Sequence, residues 1–67
     1  MKGWARIGSE EDPIKIHVLK QLLENEGIPT IVINKRDSNY HFGEVELHVR
    51  GLDVIRANQL INSFNHE

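Results

Sequence analysis

The chain contains no cysteine, and this absence excludes disulfide bridges and thiolate metal sites as sources of stability. No apolar run approaches the roughly 18 residues that a membrane-spanning helix needs. No apolar signal segment follows the N-terminal residues Met1–Trp4. These absences lead us to expect a cytoplasmic protein that is not inserted into a membrane.

The chain also lacks a strong charge of either sign, with eight basic and ten acidic residues. It therefore lacks the basic character of dedicated nucleic-acid binders, and nucleic acid is not an expected partner. Its 67 residues form one domain, 1–67, in which about residues 63–67 are expected to fray. Domains of this size are commonly stabilised by disulfides, a metal or a partner chain. Because disulfides are excluded, self-association is the most natural source of additional stability, and we therefore expect a homo-oligomer.

Two segments have the apolar spacing of amphipathic helices. The first is predicted over Ile14–Glu26, with Asp12 as N-cap, Pro13 at the first helical position and Gly27 at its end. The second begins near Leu52 or Asp53. Its predicted buried stripe consists of Val54, Ala57, Leu60, Ile61 and Phe64.

Three segments are predicted to be strands: Trp4–Gly8, Ile28–Asn34 and Gly43–Val49. The run Ser9–Asp12 is expected to end the first strand. Pro29 lacks an N–H group, so the second strand should lie at a sheet edge or have Pro29 at its entry. The third strand alternates, with Val45, Leu47 and Val49 on one side and Glu44, Glu46 and His48 on the other.

The order β-α-β-β-α predicts an α+β fold, a truncated ferredoxin-like sandwich. Two amphipathic helices must cover one face of the sheet, because each has one apolar stripe to bury. A right-handed crossover with the third strand inserted between the other two gives a three-stranded antiparallel sheet of order 1-3-2. The missing fourth strand would lie beside Trp4–Gly8, so we expect that edge to be open and available to another chain.

Several motifs resemble a family of small bacterial domains of unknown function, labelled putative prokaryotic signal-transducing proteins. They are Lys2-Gly3-Trp4, Asp12-Pro13-Ile14, and Asn34-Lys35-Arg36-Asp37-Ser38-Asn39-Tyr40 followed by Phe42-Gly43-Glu44-Val45-Glu46-Leu47. The resemblance covers nearly the whole chain. It implies a ferredoxin-like, PII-like fold and a role in signal transduction, with no established activity or cofactor.

The polar segment 35–42 is the first candidate binding site. Cations, a hydroxyl group and backbone N–H groups can receive a phosphate or carboxylate, and in PII-like regulators the corresponding loop reaches partners. We therefore expect contact with a partner protein or an anionic small molecule. In the structural alternative, Asp37 and Ser38 shape the turn, while Tyr40 and Phe42 cap the core edge. The candidate residues are Lys35, Arg36, Asp37, Ser38, Tyr40 and Phe42.

The sheet face turned away from the helices is the second candidate. Arg6 is expected to pair across strands with Glu44 or Glu46. An exposed tryptophan is a frequent interface anchor, although Trp4 folding over a core edge is the alternative. The candidate interface residues are Trp4, Arg6, Val32, Glu46 and His48, with Thr30 and Glu44 on the same face.

No catalytic or metal-binding pattern emerges. The four histidines fall on different elements and supply no three-ligand set, so neither a metal nor a cofactor is expected. Ser38 with a histidine lacks a third orienting group. The sequence therefore favours a non-enzymatic regulatory or interaction module. RNA binding on the sheet face is one alternative, but Glu44 and Glu46 would repel the RNA phosphates. A minimal enzyme is the other alternative.

Overall fold

The computed structural model describes residues 2–36 and 43–65. Within them the three strands form one antiparallel sheet of order β1-β3-β2, with two helices, which confirms the predicted truncated ferredoxin-like fold. The elements are β1 (Trp4–Glu10), α1 (Pro13–Asn25), β2 (Thr30–Asn34), β3 (Val45–Arg50), a 3₁₀ turn (Gly51–Asp53) and α2 (Val54–Asn65).

Local signals fix both ends of α1. The Asp12 carboxylate accepts a hydrogen bond of 2.9 Å from the Ile14 N–H, with Pro13 at the first helical position. At the other end Gly27 has φ +79°. The Ile28 N–H bonds to the Leu23 carbonyl at 3.0 Å, which is the Schellman arrangement. The predicted N-cap and terminating glycine are both confirmed.

The core lies between the helices and one face of the sheet. Helix α2 contributes Ala57, which is fully buried, and the other predicted members of its stripe are half-buried against the core. The buried residues form two adjoining clusters, one of Ile16, Leu19, Val45 and Leu47, the other of Leu23, Ile28, Val49 and Ala57.

Strand β1 is longer than predicted and is irregular. It continues through Ser9 and Glu10, which pair with Glu46 and Val45, so the predicted break after Gly8 was wrong. The pairing register shifts between Arg6 and Gly8, as in a β-bulge. The bulge leaves Ile7 half-buried against both core clusters.

Strand β2 is an edge strand with Pro29 directly before it, as predicted. The residues predicted to face away from the helices, however, face toward them. Val32 pairs with Leu47 and packs against the core, so its predicted place on the open side of the sheet was wrong. Thr30 likewise shares the helix side, opposite Val49. Its central residues Ile31, Val32 and Ile33 are all apolar, so the sequence does not show which face of the strand meets the core. A shift of the pairing by one residue exchanges the two faces.

Helix α2 continues through Asn65, into the stretch expected to fray, and residues 66 and 67 lie outside the described part. Neither helix in the described ranges combines the length and the apolar content that crossing a membrane requires.

Candidate functional site

The sheet has an open face, the side opposite the helices. Strand pairing places neighbouring residues on a common side, so the register defines this face. Neither α1 nor α2 lies against it. Its side chains come from Trp4, Arg6 and Ser9 on β1, Glu46, His48 and Arg50 on β3, and Ile31 and Ile33 on β2.

Glu46 is the centre of a charged cluster on the open face. Its carboxylate accepts a 3.1 Å hydrogen bond from Arg6 Nη1 and lies 3.1 Å from His48 Nε2. Lys35 Nζ is 3.5 Å away. The Glu46 side chain is only 8% exposed, whereas Arg6 is 59% and Lys35 61% exposed. The acidic group therefore lies beneath its partners, and the surface presents the cations.

The surroundings of Glu46 favour its charged form. Its pKa is lowered from 4.5 to about 2, chiefly by the hydrogen bond from His48 and then by Arg6 and Lys35, while partial burial acts in the opposite direction. The carboxylate is therefore ionised at neutral pH and holds its partners in place.

The depressed pKa of Glu46 predicts a pH effect on stability. Its contribution should be complete above pH 4.5 and should be lost as the pH falls toward about 2. We expect Glu46→Gln to be less stable than the parent at pH 7, with the difference narrowing through this window. Urea unfolding at several pH values measures it, and Glu44→Gln, at an exposed carboxylate on the same segment, is the control. A constant difference across the window would contradict the assignment.

The base of the 35–42 segment brings Lys35 to this cluster. The Lys35 N–H bonds to the Glu44 carbonyl at 3.0 Å, and the Arg36 N–H bonds to the Asn34 side-chain oxygen at 2.9 Å. Gly43 has φ +106°, and a Cβ there would lie 2.7 Å from the Lys35 carbonyl oxygen. Lys35 and Gly43, at the two ends of the segment, are therefore in close contact, and Lys35 lies beside β3.

The predicted loop site is described only at this base. Lys35 and Arg36 are placed, whereas Asp37, Ser38, Tyr40 and Phe42 lie outside the described residues. Their proposed part in binding, and the alternative in which they shape the turn and the core edge, both stay predictions.

The predicted sheet-face site is placed more fully. Trp4, Arg6, Glu46 and His48 share the open face, and the predicted ion pair between Arg6 and Glu46 is present. Sequence reasoning missed the contact between Lys35 and Glu46, because Lys35 was assigned only to the loop. It also missed the two isoleucines of β2, which take the place predicted for Val32. Because Val32 between them is also apolar, the spacing of the two isoleucines does not decide which face they share.

Other features of the described part suggest no chemistry of their own. Within residues 2–36 and 43–65, no group of three histidine or carboxylate side chains is placed to hold a metal ion. A groove of about 200 Å³ lies between β1 and the helices. Its charged side chains, Glu10 and Lys15, already pair with each other at 3.3 Å.

Comparison with known proteins identifies a family. A family model described as putative prokaryotic signal transducing protein matches residues 4–65, which include every open-face residue named above. Neither the curated proteins nor the solved structures compared with the chain contain a match.

Proposed function

This chain belongs to the family of putative prokaryotic signal transducing proteins, and we propose that it is a non-enzymatic module that binds an anionic partner through the open face. The observation that carries the proposal is the arrangement around Glu46. One buried carboxylate organises two cations, Arg6 and Lys35, whose side chains remain more than half exposed.

The geometry favours an anion because the cations are already positioned. Arg6 and Lys35 are long side chains that would lose rotamer freedom on binding, and their contacts with Glu46 reduce that loss. Their exposed donors can reach a carboxylate or phosphate, and such charge-assisted bonds are stronger than neutral ones. Arg50, 42% exposed and 2.9 Å from Asp53, adds a further cation on the same side.

Apolar side chains beside the cations extend the surface toward a protein partner. Trp4, Ile31 and Ile33 are half-exposed on the open face, and tryptophan is a frequent anchor at interfaces. An acidic segment of a partner protein would engage both the cations and these residues, whereas a small anion would engage the cations alone. Lys35 and Arg36 begin the 35–42 segment, and we propose that the predicted binding residues of this segment contribute to recognition of the same partner.

The single tryptophan provides the test. Trp4 is the only tryptophan of the chain and lies on the open face, so its fluorescence reports on that surface. The probes are inorganic phosphate, a nucleoside triphosphate, a polyglutamate peptide and a short single-stranded RNA. We expect saturable changes with at least one of the first three, weakening as salt is added. A response to the RNA alone would favour the RNA-binding alternative.

Removing the two exposed cations should abolish most of this binding. Arg6→Gln with Lys35→Gln keeps hydrogen-bond donors near Glu46 but removes both charges. Each lost charge-assisted bond is worth about 1.5–3 kcal/mol, so the loss of two should lower the affinity about a hundredfold or more. Lys20→Gln, a cation of α1 that pairs with Glu24, is the matched control and should leave affinity unchanged. Equal losses in both variants would contradict the proposed surface.

A further inference from the structure

The outer edge of β2 offers a regular row of backbone groups. Beyond the last paired residues of β2 and β3, the Lys35 N–H bonds to the Glu44 carbonyl. Since hydrogen-bonded residues alternate along an antiparallel strand, the odd-numbered residues of β2 bond to β3. The N–H and C=O groups of Thr30, Val32 and Asn34 therefore point outward. Among the described residues no strand lies on that side.

The two edges of the sheet differ in their protection. On β1 the bulge between Arg6 and Gly8 interrupts the regular ladder, and bulges of this kind discourage pairing with another chain. Strand β2, Thr-Ile-Val-Ile-Asn, contains no bulge, charge or proline within its bounds. The β2 edge is thus the better template, although the sequence pointed to the edge beside Trp4–Gly8.

We propose that β2 pairs antiparallel with β2 of a second copy of this chain, around a twofold axis at Val32. In this register Val32 lies opposite Val32 of the second copy, and Thr30 lies opposite Asn34 of the second copy. These are the residues whose backbone groups point outward, so every outward N–H finds a carbonyl. The two three-stranded sheets become one continuous sheet.

The side chains match in the same register. On the open face Ile31 lies opposite Ile33 of the second copy, and both isoleucines are half-exposed in the single chain. Cross-strand pairs of β-branched residues stabilise a sheet. On the helix side Thr30 meets Asn34 of the second copy, so polar residues face polar residues. A register shifted by two residues keeps the same type of hydrogen bond, but it leaves residues at the strand ends without a partner.

Helix α1 accommodates this pairing. It packs against all three strands, so strands about 4.8 Å apart would place the two copies of α1 about 10–14 Å apart, which is enough to avoid a clash. Lys15 and Glu26 contact β1 and α2. Helical spacing puts Lys20 and Glu24 on the opposite flank, toward the β2 edge, together with the exposed His17. Lys20 and Glu24 form a 2.8 Å ion pair, so these two residues bring no net charge to the contact between the copies.

The pairing goes beyond the proposed function and does not depend on it. A dimer would join two open faces into one surface, whereas a monomer could still bind anions. The first measurement is sedimentation of the full chain, in which we expect twice the chain mass of 7.7 kDa. Amide hydrogen exchange should show concentration-dependent protection at Thr30, Val32 and Asn34. A 7.7 kDa species at NMR concentrations, with these amides exchanging freely, would overturn the proposal.

Charge variants separate the pairing from folding. Ile31→Lys with Ile33→Lys would place like charges opposite each other in the dimer, on a face that the core does not use. Ile31→Glu with Ile33→Glu does the same with the opposite sign. We expect the dimer dissociation constant of each variant alone to rise at least a hundredfold, while its circular dichroism stays native. An equimolar mixture of the two variants should re-form the dimer.

A control on the other edge completes the test. Ser9→Lys introduces the same charge at an exposed position of β1 on the open face, and it should leave the dimer intact. Dissociation by Ser9→Lys but not by the isoleucine variants would move the interface to β1 and contradict the inference.

Discussion

Replacing Leu23 with alanine is expected to lower the free energy of unfolding by about 3 kcal/mol, within the range of 2–5 kcal/mol typical of buried leucines. Leu23 is fully buried, in the cluster that also contains Ile28, Val49 and Ala57. Its carbonyl also accepts the bond from the Ile28 N–H that terminates α1. The smaller side chain would leave a cavity between α1, α2 and β3.

Urea unfolding followed by circular dichroism measures this loss, at one low protein concentration because self-association would add stability. A single core of this size supplies only about 3–5 kcal/mol, so the variant should keep at most about 2 kcal/mol and unfold at a much lower urea concentration than the parent. Leu52→Ala makes the same chemical change at a residue 78% exposed and should cost less than about 0.5 kcal/mol. Equal midpoints for the two variants would contradict the assigned core.

Replacing Gly43 with alanine should cost about 2 kcal/mol or more. Its φ of +106° is unfavourable for a residue with a Cβ, and conformations of this kind cost about 1–3 kcal/mol. The added methyl group would also meet the backbone of the opposite strand end, 2.7 Å from the Lys35 carbonyl oxygen and 3.1 Å from the Arg36 Cα. Backbone atoms held by the neighbouring sheet have little freedom to move away.

Gly8→Ala is the matched control for this variant, since a Cβ at Gly8 would meet nothing within 4 Å and its φ is not positive. In urea unfolding, the free energy of unfolding of Gly43→Ala should be lower than that of Gly8→Ala by most of the expected loss of about 2 kcal/mol. The displaced Lys35 should also weaken anion binding by Gly43→Ala in conditions where it remains folded. Equal stability of the two alanine variants would mean that the base of the segment is not closed as described.

The sequence was most informative where one local feature decides the structure. Asp12 and Pro13 mark the start of α1 because a capping residue and a proline directly precede a run with helical apolar spacing, and Gly27 marks its end. In β3 the polar residues between Val45, Leu47 and Val49 leave one possible phase. The order of strands then follows from chain connectivity and the need to cover one sheet face.

Two features of the strands depended on tertiary packing. In β2 the three central residues Ile31, Val32 and Ile33 are all apolar, so only the pairing with β3 decides that Val32 faces the helices. In β1 the bulge lies at Ile7, which packs against both core clusters, and the run Trp4–Glu10 contains no pattern that requires an extra residue there.

The cluster around Glu46 was partly predictable. Alternation along β3 places Glu46 on the open face, and a cross-strand partner such as Arg6 follows from the sheet order. The burial of Glu46 and its contact with Lys35 did not follow, because they require the closed base that joins the end of β2 to the start of β3. That closure depends on the hydrogen bond between Lys35 and Glu44, which is a tertiary contact.

Binding of an anion on the open face is the central claim, and mapping amide chemical shifts during titration with a polyglutamate peptide tests it most directly. We predict shifts concentrated at Arg6, Lys35, Glu46, His48 and Arg50, with the exposed side of α1 unaffected. Shifts concentrated on the helices would contradict the claim, as would an open face that stays silent with this peptide, with inorganic phosphate and with a nucleoside triphosphate.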